Sequence, residues 1–124
     1  QLCAYDEACS LTAPEMQHTV IIGGGRVGRA IARAYAAEGL SCTIVEQLPE
    51  RMRPEFTYVI GDAADRAVLI EAGIERAGVT QITTHDDDVN VYLTRYLRGL
   101  RPDMRIVSRS RLDRNVSTLY RAGA

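Results

Sequence analysis

Short unbroken apolar runs alternate along this chain with longer stretches in which apolar residues return every third or fourth position. Thr19-Val20-Ile21-Ile22 is the first run; it is rich in β-branched residues and closed by Gly23-Gly24-Gly25, the pattern of a buried strand ending in a turn. From Arg26 to Glu38 the apolar positions Val27, Ala30, Ile31, Ala34 and Tyr35 fall at helical spacing, and Gly39 stands where a helix C-terminal glycine belongs. Cys42-Thr43-Ile44-Val45-Glu46 predicts a second buried strand with an acid at its end. Gln47 to Pro54 predicts a loop with one helical turn at most, interrupted by Pro49 and Pro54.

The alternation continues to the end of the chain. Thr57-Tyr58-Val59-Ile60 predicts a third strand, stopped by Gly61-Asp62, and Asp65 is placed to cap a short helix running to about Ala72. Val79 to Thr83 predicts a fourth strand. Asp86 or Asp87 starts a helix with an apolar stripe of Val89, Tyr92, Leu93, Tyr96, Leu97 and Leu100, followed by Pro102. Met104 to Ser108 predicts a fifth strand and Asp113 to Arg121 a last helix. Strands alternating with helices imply a parallel sheet covered on both faces. Right-handed crossovers make it α/β, a Rossmann-like doubly wound sheet in a single domain over residues 18–124. Residues 1–17 carry neither period and include Pro14; they read as a linker from an upstream element.

Composition narrows the function. The chain has 124 residues, 46% hydrophobic and 25% charged, with a net charge of −1, ordinary values for one globular domain. Near-neutral charge without interleaved aromatic and basic residues argues against nucleic acid as a partner. No apolar run approaches a membrane span, and Asp6 and Glu7 near the N-terminus do not suit a signal peptide. Cys3, Cys9 and Cys42 are odd in number and match no zinc spacing. Cys42 is expected in the core, and the compartment is expected to be reducing, hence cytosolic.

All fifteen basic residues are arginine. Without lysine the chain can build no Schiff base, no P-loop and no Tyr-x-x-x-Lys dehydrogenase site. An anion must be met by arginine, by backbone N–H groups or by a helix N-terminus; Arg26, Arg51, Arg66 and Arg109 are the ones expected near the binding edge of the sheet.

Gly23-Gly24-Gly25-Arg26-Val27-Gly28 matches G-x-G-x-x-G between a strand and a helix, the context that gives the pattern meaning. Gly23 permits the tight turn, Gly25 lets the backbone approach a pyrophosphate, and Gly28 allows close helix–strand packing. Arg26 and Val27 open the helix whose N–H groups face the phosphates. Glu46 ends the second strand, where a carboxylate accepts hydrogen bonds from both ribose hydroxyls of an adenosine and repels a 2′-phosphate. Gln47 shares that edge. Arg51 counts the other way, since a loop that folds back would bring it to a 2′-phosphate.

Other positions leave two readings open. Gly61-Asp62-Ala63 either flanks adenine or is a turn and cap. Thr84-His85-Asp86, followed by Asp87 and Asp88, is either a loop facing the second half of a nucleotide or a helix start enriched in acids; neither a metal site nor a catalytic His85 is expected there. Arg109, near Arg111 and Arg114, either meets a phosphate or an acidic partner residue, or is a solvated charge. Tyr92, Tyr96 and Tyr120 suit either a subunit surface or the core.

Together these residues resemble the N-terminal domain of regulators of potassium conductance, the RCK, TrkA-N or KTN domain. The resemblance runs from His18 to Ala124 and rests on the segment from His18 to Gly28, on Val45-Glu46, Gly61-Asp62-Ala63 and Leu69-Ile70-Glu71-Ala72-Gly73-Ile74, and on Thr84 with Asp87-Asp88-Val89-Asn90. Ile106-Val107-Ser108-Arg109 and the final Leu119-Tyr120-Arg121-Ala122-Gly123-Ala124 complete it. It implies a cytoplasmic sensor at the inner face of the membrane, not an enzyme. Such a sensor binds NAD(H) or AMP, ADP or ATP and regulates a potassium channel or transporter membrane subunit as a homodimer or a gating ring. It also implies that Gly23, Gly25, Arg26, Val27 and Gly28 cradle phosphate, Glu46 holds ribose, Asp62 and Ala63 lie by adenine, Thr84 to Asp86 border the ligand, and Arg109 contacts phosphate or a neighbouring subunit. Glu46 stands where the family often has Asp, and His85-Asp86 is less usual in that loop. The family's sheet would continue beyond Ala124, so the chain is expected to be part of a longer protein. The rivals are the NAD-binding half of a dehydrogenase, which needs a following substrate domain, and a non-binding dimerisation module.

Overall fold

The structure, a computed structural model, describes residues 18–124; the linker expected over residues 1–17, with Cys3 and Cys9, lies outside the described residues. The strands are β1 His18–Ile22, β2 Cys42–Glu46, β3 Tyr58–Ile60, β4 Ala77–Ile82 and β5 Arg105–Ser108. The helices are α1 Arg26–Ala37, α2 Arg66–Glu71, α3 Asp87–Leu100 and α4 Val116–Ala122, with short 3₁₀ turns at Pro49–Arg51, Ile74–Arg76 and Asp113–Asn115. All five strands are parallel, in the order β3-β2-β1-β4-β5. The chain moves outward from β1 to β3 on one side, then crosses to β4 on the other. The carboxyl ends of β1 and β4 therefore frame the switch point where open α/β sheets bind ligands.

The strands read as continuous apolar runs because both faces are covered. Val20 and Ile22 pack with Val45, Leu69, Leu93 and Leu97 under α2 and α3, while Ile21 and Ile44 pack with Ala32 under α1. Cys42 is half-buried at the margin of the second cluster, where burial pushes its thiol pKa up. β4 starts two residues earlier than its apolar pattern suggests. His18 pairs with Ala77 and Thr19 with Val79, so Gly78 is left as the extra residue of an irregularity in the register, a place where glycine in a strand commonly sits.

Two features of α3 and α4 depart from the sequence pattern. Val89 and Tyr92 of the expected stripe are exposed, Tyr92 by 58%. Leu93 and Leu97 reach the core with Tyr96 and Leu100 against them, because the first turns of α3 overhang the carboxyl edge of the sheet. The last helix begins as the 3₁₀ turn Asp113–Asn115 and becomes α-helical only at Val116, since Asn115 is drawn to Asp87 at the start of α3.

At the opposite edge of the sheet, His18 is buried at the start of β1. Its Nε2 lies 2.8 Å from the Ala72 carbonyl and its Nδ1 2.8 Å from the Ser41 hydroxyl. A carbonyl only accepts, so Nε2 carries the proton and Ser41 donates to Nδ1. Burial, opposed by the Ala72 bond and aided by Arg76, lowers the His18 pKa from its ordinary 6.5.

Candidate functional site

A cleft of about 520 Å³ opens over the carboxyl ends of β1, β2 and β4. Its floor is the turn from β1 into α1. Gly23 sits at φ +107°, and a Cβ there would stand 2.7 Å from the Thr83 hydroxyl. Gly24 donates its N–H to Glu46 Oε1 at 2.7 Å, and a Cβ on it would press on that carboxylate at 2.9 Å. A Cβ on Gly28 would meet the Gly23 carbonyl oxygen at 1.8 Å. The backbone around Gly23 and Gly28 demands glycine there, and a side chain at Gly24 would have to push the Glu46 carboxylate aside. Gly25 is different: a Cβ there would meet nothing within 4 Å. Gly25 is the N-cap of α1 and has no side chain to cap it, so the first-turn N–H groups face the cleft without a side-chain acceptor. Uncapped donors and the positive end of a helix suit an anion.

Glu46 is 5% exposed and is held at three points. Besides the Gly24 bond, Oε2 accepts the Leu48 N–H at 3.0 Å, and the Arg51 guanidinium approaches Oε1 to 3.8 Å. Arg51 does fold back, but onto the carboxylate itself. Asp62 lines the cleft and also accepts the Ala64 N–H at 2.8 Å, so the turn geometry is present at a residue that faces the site. Gly61 is required there because a Cβ would strike Val68 at 2.6 Å.

Of the fifteen residues expected at the site, thirteen line this cleft, from Gly23, Gly25, Arg26 and Val27 through Glu46, Gln47 and Arg51, to Gly61, Asp62, Ala63, Thr84, His85 and Arg109. Gly28 and Asp86 do not. Gly28 lies beneath the turn as a packing residue. The Asp86 carboxylate is used as the N-cap of α3, accepting the Asp88 and Val89 N–H groups at 2.9 and 3.3 Å. Arg66, expected near the binding edge, begins α2 and is not among the lining residues.

The acidic run after β4 divides its work. Asp87 turns away from the cleft and gathers the loop after β5, accepting from the Arg111 N–H at 2.9 Å, the Leu112 N–H at 3.2 Å, Asn115 Nδ2 at 2.8 Å and the Ser110 hydroxyl at 3.3 Å. These bonds, the Asn115 one foremost, hold its pKa below the ordinary 3.8. Among the described residues no group of three His, Cys, Asp or Glu side chains is placed to hold a metal ion.

Several arginines serve carbonyls rather than ligands. Arg29 donates to the Gly24 carbonyl at 2.9 Å, Arg101 to the Ile74 and Ala77 carbonyls, and Arg98 to the carbonyls of Pro102 and Gly123. The cations lining the cleft are Arg26, Arg51 and Arg109. Sequence reasoning missed Thr83 as a site residue; its hydroxyl donates to the Ile22 carbonyl at 2.9 Å and fills the space under Gly23. It missed Leu48, Val89 and Tyr92 as the apolar rim, which only the overhang of α3 and the 48–51 turn brings together.

A parallel doubly wound sheet with a glycine turn, an open helix start and an acid at the end of β2 defines a Rossmann-like domain. A model of the TrkA-N domain matches residues 19–124, and the chain belongs to the TrkA-N family. A Trk system potassium uptake protein TrkA homolog of Pyrococcus horikoshii is 33% identical over 97 residues, 74% of this chain and 42% of that protein. The structure of GsuK bound to ADP matches with a TM-score of 0.82 at 34% identity, covering 89% of this chain and 29% of that one. The GsuK channel bound to NAD matches with a TM-score of 0.80 at 36% identity, covering 86% of this chain and 20% of that one. The chain thus spans less than half the length of these relatives. Among the described residues no helix is long and apolar enough to cross a membrane.

Proposed function

We propose that this chain is the ligand-sensing part of a potassium channel or potassium transporter, on the cytoplasmic side of the membrane, and that it binds an adenine nucleotide in the cleft. NAD(H), AMP, ADP and ATP share the adenosine and phosphate that the cleft would read. Gly25 carries this reading: no neighbour in the protein needs it to be glycine, whereas a phosphate on the helix start would.

The chain's own groups then take the following parts. The α1 N-terminus and Arg26 meet phosphate. Glu46 uses one lone pair on each oxygen for Gly24 and Leu48, which leaves acceptor capacity for ribose hydroxyls. Arg51 balances the Glu46 charge at the mouth. Asp62 and Ala63 border the base. The lining residues offer no nucleophile hydrogen-bonded to a base, which supports sensing without a reaction. The nucleotide would act through its different affinity for two arrangements of paired domains, in a homodimer or a gating ring, and so shift the gate of the attached membrane subunit.

Thermal unfolding with NAD, NADH, AMP, ADP, ATP and NADP tests this. A ligand at 100 times its Kd stabilises by about 2.7 kcal/mol, a rise of several degrees for a domain of this size. No rise with any of the first five at millimolar concentration would reject nucleotide sensing, and a rise with NADP above all others would reject the role given to Glu46.

A further inference from the structure

Asn90, in the first turn of α3, is 0% exposed. A buried amide must find partners for two N–H donors and a carbonyl acceptor. Its Nδ2 donates to the Thr84 carbonyl at 3.1 Å and to the Arg109 carbonyl at 2.9 Å, and its Oδ1 accepts the Thr84 hydroxyl. Two carbonyls can be served only by the NH₂ end, so the network fixes which way the amide points. Thr84 follows β4 and Arg109 follows β5. Both line the cleft on the wall across the glycine turn from Glu46.

The same wall is also tied through β4, and the residues that follow Arg109 are held by Asp87. The Arg109 N–H donates to the Ile82 carbonyl at 2.8 Å, and its guanidinium reaches the Thr83 carbonyl at 3.3 Å. Among the described residues Arg109 forms no ion pair. A guanidinium has five donors, so most of them remain for an anion. Packing alone would be met by an apolar side chain in this place. A fully satisfied amide joining two loops instead fixes their spacing.

We infer that Asn90 is the positioning residue of this wall, aiming Arg109 and Thr84 at the part of a nucleotide beyond its first phosphate. The inference rests on the nucleotide reading. It assigns AMP to the Glu46 side and the glycine turn, and it makes the second phosphate of ADP, or the second half of NAD, depend on Asn90.

Calorimetric titration of the protein with AMP, ADP and NAD tests it. Asn90→Asp keeps the shape and the acceptor but removes both donors; Asn90→Ser removes the reach. Either variant should weaken ADP and NAD roughly tenfold, the scale of a lost hydrogen-bond tie, and leave AMP within about twofold. Arg109→Met should show the same selectivity, and adding Asn90→Asp to it should weaken ADP no further. Equal losses for AMP and ADP, no loss for either, or full additivity in the double variant would overturn the inference. Arg109→Met lies at a half-exposed residue and decides the matter by the same AMP-to-ADP comparison if neither Asn90 variant folds. If the unaltered protein binds none of the three, the nucleotide reading fails and this inference falls with it; binding without selectivity removes the inference alone.

Discussion

Glu46 Oε1 accepts a 2.7 Å hydrogen bond from the backbone N–H of Gly24, joining the end of β2 to the middle of the glycine turn. An acid expected to serve a ligand is thus also a brace of the site. Its second oxygen holds the Leu48 N–H in the loop that carries Arg51. The shape of the cleft and its chemistry depend on one carboxylate.

Glu46→Ala should therefore do two things at once. It leaves the Gly24 N–H without its acceptor and should destabilise the protein by roughly 1.5–3 kcal/mol, the range for a hydrogen bond to a charged group. It should also weaken ADP and NAD by tenfold or more. Urea denaturation and titration calorimetry measure the two effects separately, and loss of either one without the other would contradict the double role.

Gly25 and Gly28 should respond in opposite ways. Gly28→Ala forces a carbon to 1.8 Å from a backbone oxygen and should destabilise by about 3 kcal/mol or more, as overpacking against backbone does. Gly25→Ser places a good N-cap residue where φ is −79° and the space is open, so stability should hold or rise by up to about 1 kcal/mol. The nucleotide-induced rise in melting temperature should nevertheless vanish. A Gly25→Ser protein that still responds to ADP or NAD would remove phosphate from the helix start.

Acid should weaken the fold in two steps. The His18 pKa is lowered in the folded state from 6.5, so the unfolded chain binds the proton first. The His18 contribution is complete above pH 6.5 and is lost as the pH falls through that value toward the folded pKa. Asp87 is likewise depressed from 3.8, so its contribution is complete above pH 3.8 and is lost below it. Chemical denaturation from pH 8 to 3 should show both declines. His18→Gln should flatten the first step and leave the second, and a first step unchanged by that substitution would assign it to other groups.

The alternation of apolar runs and helical stripes carried the strand and helix order. Right-handed crossovers fix the hand of the winding but not the order β3-β2-β1-β4-β5, which the tertiary structure decides; the glycine spacing with Glu46 located the cleft. These are local patterns: a strand's β-branched run, a turn that needs no Cβ and an acid at a strand end are readable wherever they stand. Asp87, Asn90 and Thr83 were not readable in this way. Asp87 and Asn90 draw partners from residues 109–115, and Thr83 meets Ile22 and Gly23 some sixty residues away; no spacing encodes such bonds. Asp86, Asp87 and Asp88 look alike in a row, and only their directions in space made one a cap and one a clasp.

The absence of lysine shows the same division. By itself the sequence determined that arginine, backbone and helix start must meet any anion, because composition excludes a chemistry wherever the residues lie. Only the tertiary structure decided which arginines stand at the cleft. Arg98 and Arg101 are turned onto carbonyls at the opposite edge of the sheet, Arg66 begins a helix outside the lining, and Arg26, Arg51 and Arg109 remain. A guanidinium goes wherever buried carbonyls lack donors, and folding alone reveals where those are.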